Sequence, residues 1–239
     1  MKPTINLLVT VVLFCCQFSA IAQITSGRIV YERKTNLHKK YTDAETQKYL
    51  PEKIKIELFN LYFTDSASYF AVQANDQKDA TYWATSRDQV YQDLSAHRRF
   101  TVKSVFGSSF NLSDSLRTRT WKIVPGTRKI CGYECQKAIW QANDTTRIYA
   151  WFANEIIPSL GPESFNGLPG MILGLAEEDG KVIYFAKQVI TEPVDPAVVQ
   201  PKKPDSKARS TQEAKVTLLK QFSREPSVDK MIHELFDIW

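Results

Sequence analysis

Few residues of this 239-residue chain have the types and spacing that chemistry needs. Cys131 and Cys135 lie four apart, with Gly132-Tyr133-Glu134 between them. As thiolates they are potential nucleophiles or ligands for a soft metal; oxidised, they form a disulfide. Two thiols alone do not define a metal site, and no metal is expected. In a straight strand the pair would stand roughly 13 Å apart, so a bridge needs the intervening residues to turn, which Gly132 permits. A disulfide and two free thiols both stay open. His38, His97 and His233 are scattered and belong to no H-E-x-x-H pattern, which speaks against zinc. Ser164 lacks the G-x-S-x-G elbow of a serine nucleophile, and no glycine-rich phosphate loop occurs. Glu177-Glu178-Asp179 before Gly180 read as a solvated turn. Glu155 is the one carboxylate worth testing, although a surface charge ahead of Pro158 explains it more simply. No cofactor is expected.

The elements that must position these residues are mostly strands. Ile29-Val30-Tyr31 opens the series. Ile54 to Phe63 alternates through Ile54, Ile56 and Leu58, turns at Thr64-Asp65-Ser66 and returns over Ser68 to Gln73. Thr81-Tyr82-Trp83, Gln89-Val90-Tyr91 and Phe100 to Phe106 read as further strands. Thr120 to Val124 alternates and is expected to stop at Pro125-Gly126. Gln136 to Gln141 and Arg147 to Phe152 form the clearest hairpin, around Asn143-Asp144. Met171 to Leu175 and Val182 to Ile190 form another. The pattern predicts a mainly β (α+β) fold: a curved antiparallel sheet or partly open β-barrel with C-terminal helices.

The ends differ from this body. Met1 to Ala22 read as a secretory signal, with Lys2, an apolar stretch over Leu7 to Phe14, and Ala20-Ile21-Ala22 as the cleavage site. Phe14 before Cys15 does not fit a lipobox. Export and a periplasmic or outer-envelope location are therefore expected, and about 217 residues remain, enough for one good-sized core. The formal charge of +5 falls to +4 with the loss of Lys2, and interspersed signs give no case for nucleic acid. Residues 23–192 read as the β domain and 193–210 as an exposed, basic, proline-rich linker. Residues 211–239 read as an amphipathic helical tail, with Ser210 or Thr211 as its cap; Glu213 fits a capping box from Ser210. The tail either packs on the sheet or offers Lys215, Lys220 and Arg224 to a partner or a membrane surface.

The run Gly161-Pro162-Glu163-Ser164-Phe165-Asn166-Gly167-Leu168-Pro169-Gly170-Met171-Ile172-Leu173 joins a glycine- and proline-rich turn to a buried strand. With Gly132-Tyr133-Glu134-Cys135-Gln136-Lys137-Ala138, Ala150-Trp151-Phe152 and Glu155-Ile156-Ile157-Pro158, it resembles the GLPGLI family of Bacteroidota envelope proteins. Phe152 stands where that family usually has Tyr, and Met171 where it has Leu. The likeness covers Ile130 to Leu175. Members mostly lack an assigned activity, so the resemblance implies a place rather than a reaction.

The favoured functional expectation is a binding or interaction protein of the envelope, without catalysis. Its ligand would be a small apolar or peptide-like molecule, or an envelope protein, held between the sheet and the signature loop. Trp151, Phe152, Glu155, Phe165, Leu168 and Pro169 are the candidate binding residues. The alternative is an envelope hydrolase or peptide-processing enzyme that uses Cys135 or Glu155.

Overall fold

The computed structural model describes residues 23–74, 79–105, 108–201, 208–222 and 226–238. The expected signal, residues 1–22, linker positions 202–207 and Arg224 of the tail lie outside them. Eleven strands form one antiparallel sheet: β1 Gly27–Asn36, β2 Ile54–Phe63, β3 Ala67–Val72, β4 Gln89–Asp93, β5 Arg98–Val105, β6 Ser108–Ser115, β7 Lys122–Ile130, β8 Tyr133–Gln141, β9 Arg147–Ala153, β10 Met171–Glu177 and β11 Val182–Ile190. The spatial order is β6-β5-β4-β3-β2-β1-β11-β10-β9-β8-β7. Two meanders thus spread from the central pair β1 and β11, and the sheet is not closed.

The link from β6 to β7 joins the two outer edges. Ten strand spacings of about 4.8 Å would place those edges about 48 Å apart in a flat sheet. The seven residue steps from Ser115 to Lys122 reach at most about 25 Å. The sheet must therefore curl. Its inner face carries a core that includes Ile29, Tyr31, Phe59, Leu61, Phe70, Ile148, Phe152 and Tyr184. The chain between β9 and β10 fills the curl: Ile156, Leu160, Phe165 and Leu168 are buried there.

Four short helices complete the described chain: α1 Leu37–Lys40, α2 Ala44–Gln47, α3 Thr211–Gln221 and α4 Pro226–Asp237. Ser210 and Glu213 make reciprocal capping bonds at the start of α3. Ala214 and Leu218 of α3, with Ile232 and Phe236 of α4, pack on Val105 and Leu112 of the inner face. The proline-rich segment is not a free linker throughout: Pro196–Val199 forms a single 3₁₀ turn with Val199 buried, and Arg209 bridges to Leu112 of β6.

Two sequence expectations change. Thr81-Tyr82-Trp83 is not a strand; Tyr82–Ala84 is a 3₁₀ turn. Pro125-Gly126 does not end its strand but makes a bulge between Val124 and Thr127. That bulge is tolerated because β7 is an edge, where a missing N–H goes unneeded. Strand β2 forms as expected and buries its polar side in its first half. Ile54, Ile56 and Leu58 face solvent at 40%, 56% and 41% exposure, while Lys55 and Glu57 are buried.

Gly170 shows how tightly the signature turn is set. It has φ +140°, and a Cβ there would stand 2.2 Å from the Ala153 carbonyl oxygen. Gly170→Val should cost about 2–4 kcal/mol or prevent folding, read from the urea midpoint. An unchanged midpoint would contradict this packing.

Candidate functional site

The signature loop is held by buried polar groups on both sides. Glu163, at φ +55° and 4% exposed, accepts a 2.5 Å hydrogen bond from the Tyr184 hydroxyl. Arg33 of β1 stands 3.6 Å from the same carboxylate and donates to Glu57 at 2.5 Å. Its guanidinium also lies 4.5 Å from the Phe59 ring centre. Burial works against the Arg33 charge, but Tyr184, Glu57 and Glu163 together raise its pKa. For Glu163, burial and then the Asp88 carboxylate push the pKa up, against Arg33. On the other side Arg119 donates to the Ser164 carbonyl and hydroxyl, and Trp121 to the Asn166 carbonyl. Asn166 in turn donates to Gln92. Arg119 and Trp121 both sit on the edge-to-edge link. None of these anchors stood out in the sequence; an Arg or Glu inside a strand looks like a surface charge until its partner is in place.

Helix α4 lies over this cluster. Leu235 lines two small cavities, of about 20 and 30 Å³, that also border Glu163. Arg117 donates to the Phe236 and Asp237 carbonyls at one end of the helix, and Lys181 pairs with Glu234 nearer its middle. Each cavity has room for about one or two waters. The inner face is a filled core under a pinned helix.

The candidate binding residues from the sequence do not gather round a common opening. Phe152, Phe165 and Leu168 are core. Phe165 packs against Trp121 and Trp140, and Trp151 lies on the opposite face against Phe185 and Arg128. Glu155 is half-buried, its carbonyl paired with the Ile24 N–H, and Pro169 is exposed. None of the six lines the large grooves described below.

Cys131 and Cys135 are separate thiols. Cys131 at φ +50° and Gly132 at φ +91° form the two-residue turn between β7 and β8, a geometry that favours glycine at both places. Cys131 is exposed in the turn and Cys135 is buried in the strand. Burial, and then Glu155, push the Cys135 thiol up to about 12, so it is protonated at neutral pH and a poor nucleophile. Among the described residues, no group of three metal-ligating side chains comes together.

Two open grooves lie elsewhere. One, of about 600 Å³, runs between Tyr91 and Phe100 and the Pro196–Pro201 segment. The other, of about 910 Å³, is lined by Ile56, Leu58, Val72 and Ala74, with Glu52, Lys55, Asp79 and Arg87 around them. Three of these charges are paired, Lys55 with Asp79 at 2.8 Å and Arg87 with Asp79, and Arg87 also meets Glu57 at 2.9 Å. Burial opposes the Asp79 carboxylate, but hydrogen bonds from Lys55 and Thr81 hold its pKa down at about 2. An apolar strip beside ion-paired Lys55, Asp79 and Arg87 is suited to apolar or backbone contacts rather than to acid–base work.

The comparisons with known proteins bear on fold and family only. A family model described as "Protein of unknown function (Porph_ging)" matches residues 140–174, which include β9 and the signature loop. No curated protein matches in sequence. PNGF-II, in two crystal forms, is similar with TM-scores of 0.56 and 0.57 at 14% identity, over 82% of this chain and 33% of that one. The chain thus spans about a third of PNGF-II. An uncharacterized conserved protein from Thermus thermophilus gives a TM-score of 0.42 at 5% identity, over 78% of this chain and 91% of that one. The PNGF-II likeness extends to the fold alone.

Two measurements check the site. Burial raises Glu177 to about 7 from an ordinary 4.5, Lys181 opposing and Glu234 adding. Between those values the folded chain holds the extra proton, so this group's contribution to stability falls as pH rises. Glu177→Gln should remove about 1–3 kcal/mol of that fall, read from urea midpoints at pH 4.5 and 7.5. In iodoacetamide at pH 7.5, Cys131 should alkylate slowly and Cys135 only after unfolding, by intact mass; rapid Cys135 labelling would revive the nucleophile.

Proposed function

We propose that this chain is an exported binding or interaction protein of the bacterial envelope, related to the GLPGLI family, and that it acts without catalysis. Its ligand is a small apolar or peptide-like molecule, or a segment of an envelope protein. One observation carries this reading: the groove of about 910 Å³, in which Ile56 and Leu58 stay exposed beside Val72 and Ala74. Its volume lies in the range that ligand sites occupy, and its lining joins apolar surface to a few fixed charges. The binding place thus moves from the signature loop, which serves as the inner plug, to the outer side of β2. The match over residues 140–174 overlaps the GLPGLI resemblance and supports the family placement. The leader-like residues 1–22 support export.

The test is native mass spectrometry of protein recovered from the periplasm of its own host. The expected result is a mature chain beginning at Gln23 that retains an apolar or peptide adduct. Ile56→Asp should lose that adduct at least tenfold while melting within a few degrees of the parent. A chain that carries the same adduct with Ile56→Asp, or none from any preparation, would overturn the assignment of the groove.

A further inference from the structure

Not every buried charge inside the curl meets its opposite. Arg119 is 5% exposed, and a guanidinium keeps its proton at neutral pH. It donates to the Ser164 carbonyl at 2.9 Å and to the Ser164 hydroxyl at 3.1 Å. The Phe165 and Trp140 ring centres lie 4.1 and 5.2 Å from its guanidinium carbon. Among the described residues no carboxylate pairs with it. Burial, then Arg117 and Arg99, work against its charge. The acids that act on Arg117 are engaged elsewhere: Asp114 stands 3.5 Å from Arg99 and accepts from the Thr211 N–H, and Asp237 pairs with Lys215 at 2.7 Å. Arg33 shows the contrast. It is as deeply buried, but Glu57 and Glu163 stand beside it.

Hydrogen-bond donors are left over around the same loop. Arg119 Nε, Arg99 Nε and Gln92 Nε2 are buried without a partner among the described residues. Gln92 and Arg99 face each other across β4 and β5, so their side chains share the inner face. The signature loop ties Gln92 to Arg119. The Ser164 carbonyl accepts from Arg119 and from Asn166 Nδ2, and Asn166 Nδ2 also donates to Gln92 Oε1 at 2.8 Å. That chain settles the amide orientations. The Ser164 carbonyl requires the Asn166 NH₂ group, which requires the Gln92 oxygen, and the Gln92 NH₂ group remains as a spare donor. A cavity of about 20 Å³ borders Arg99 and Ser164. It also borders Asp88 and Glu163, but Lys103 and Arg33 match those two acids.

We propose that the space among Gln92, Arg99, Arg119 and Ser164 is an anion site that takes one monovalent inorganic ion of halide size, such as chloride. Three spare donors and an unmatched guanidinium have a small anion as their chemical complement. Size sets the class of ion. The cavity has room for about one water, and a halide is little larger. Leu235 and Phe236 of α4 close the space, so a ligand that carries a phosphate or carboxylate has no room unless the helix leaves. The bound ion would join β4, β5, the edge-to-edge link and the signature loop at the point where they meet. Because only the folded chain gathers these donors, the ion would stabilise the fold in proportion to the logarithm of its concentration above saturation. The site is separate from the outer groove and does not depend on the role assigned there.

The experiment uses the full mature chain at fixed pH and ionic strength, with sodium chloride exchanged for sodium gluconate, whose anion is too large for the cavity. The expected result is a melting temperature that rises by about 3 °C or more over a hundredfold range of chloride. Bromide should act in the same way. Arg119→Met should flatten the response, because it removes the charge that the ion neutralises and keeps an apolar side chain between the rings. Crystals of the unaltered protein soaked in bromide give a second reading that needs no variant to fold: an anomalous peak within hydrogen-bond reach of Arg119 Nε. Equal melting in chloride and gluconate overturns the site, and so does a chloride response that survives Arg119→Met. Bromide found only on the outer surface is an adventitious ion and overturns it as well. A full chain indifferent to halide, beside a chain ending at Ile238 that responds, would give Arg119 to the chain's own terminal carboxylate and likewise overturn the proposal.

Discussion

The rest of the structure depends on one connection that is too short for a flat sheet. Leu116 to Trp121 must carry the chain from one outer edge to the other, and so it bends eleven strands round a common interior. The same six residues then hold what fills that interior. Arg119 and Trp121 grip Ser164 and Asn166 of the signature loop, and Arg117 closes the carbonyl end of the last helix. Curl, plug and cover are thus fixed from one short stretch. The plug in turn explains why glycine and proline crowd into residues 161–170: the loop passes within van der Waals reach of strand backbone, as at Gly170 and Ala153.

A second constraint is electrostatic. Charged side chains, among them Arg33, Glu57, Lys103 and Glu163, are buried inside the curl. Arg33, Glu57, Glu163 and Tyr184 form a chain of contacts across β1, β2, the loop and β11. Such a cluster is not a source of great stability, because desolvation offsets most of the attraction. What it fixes is position. Glu163 takes up its unusual backbone geometry only where Tyr184 and Arg33 can satisfy it, so the cluster sets the register of the loop against the sheet.

Much of the fold was legible from strand periods and turns. The hairpin around Asn143, the pair Met171–Leu175 and Val182–Ile190, and the Ser210–Glu213 cap all rest on local patterns that the chain obeys locally. The failures have non-local causes. The alternation of Ile54, Ile56 and Leu58 revealed a strand but not which face it buries, because Lys55 and Glu57 become acceptable inside only once Asp79, Arg87 and Arg33 arrive from elsewhere. Strand β6, half of it serine, has too weak an apolar rhythm to be seen. The outer groove was hidden for the same reason: its lining joins β2 to residues of the β3–β4 connection, such as Asp79 and Arg87, that only the fold brings beside it.

The place of β1 has a consequence for the order in which the protein can form. Arg33 and its partner Tyr184 on β11 are 151 positions apart. A chain that emerges N-terminus first can assemble its first meander early, yet β1 stays the bare rim of that half-sheet until almost all of the remaining sequence has been delivered. Distant pairings of this kind slow folding, and an uncovered rim invites the wrong neighbour. The time between the appearance of the two central strands is therefore the interval in which a molecular escort matters most.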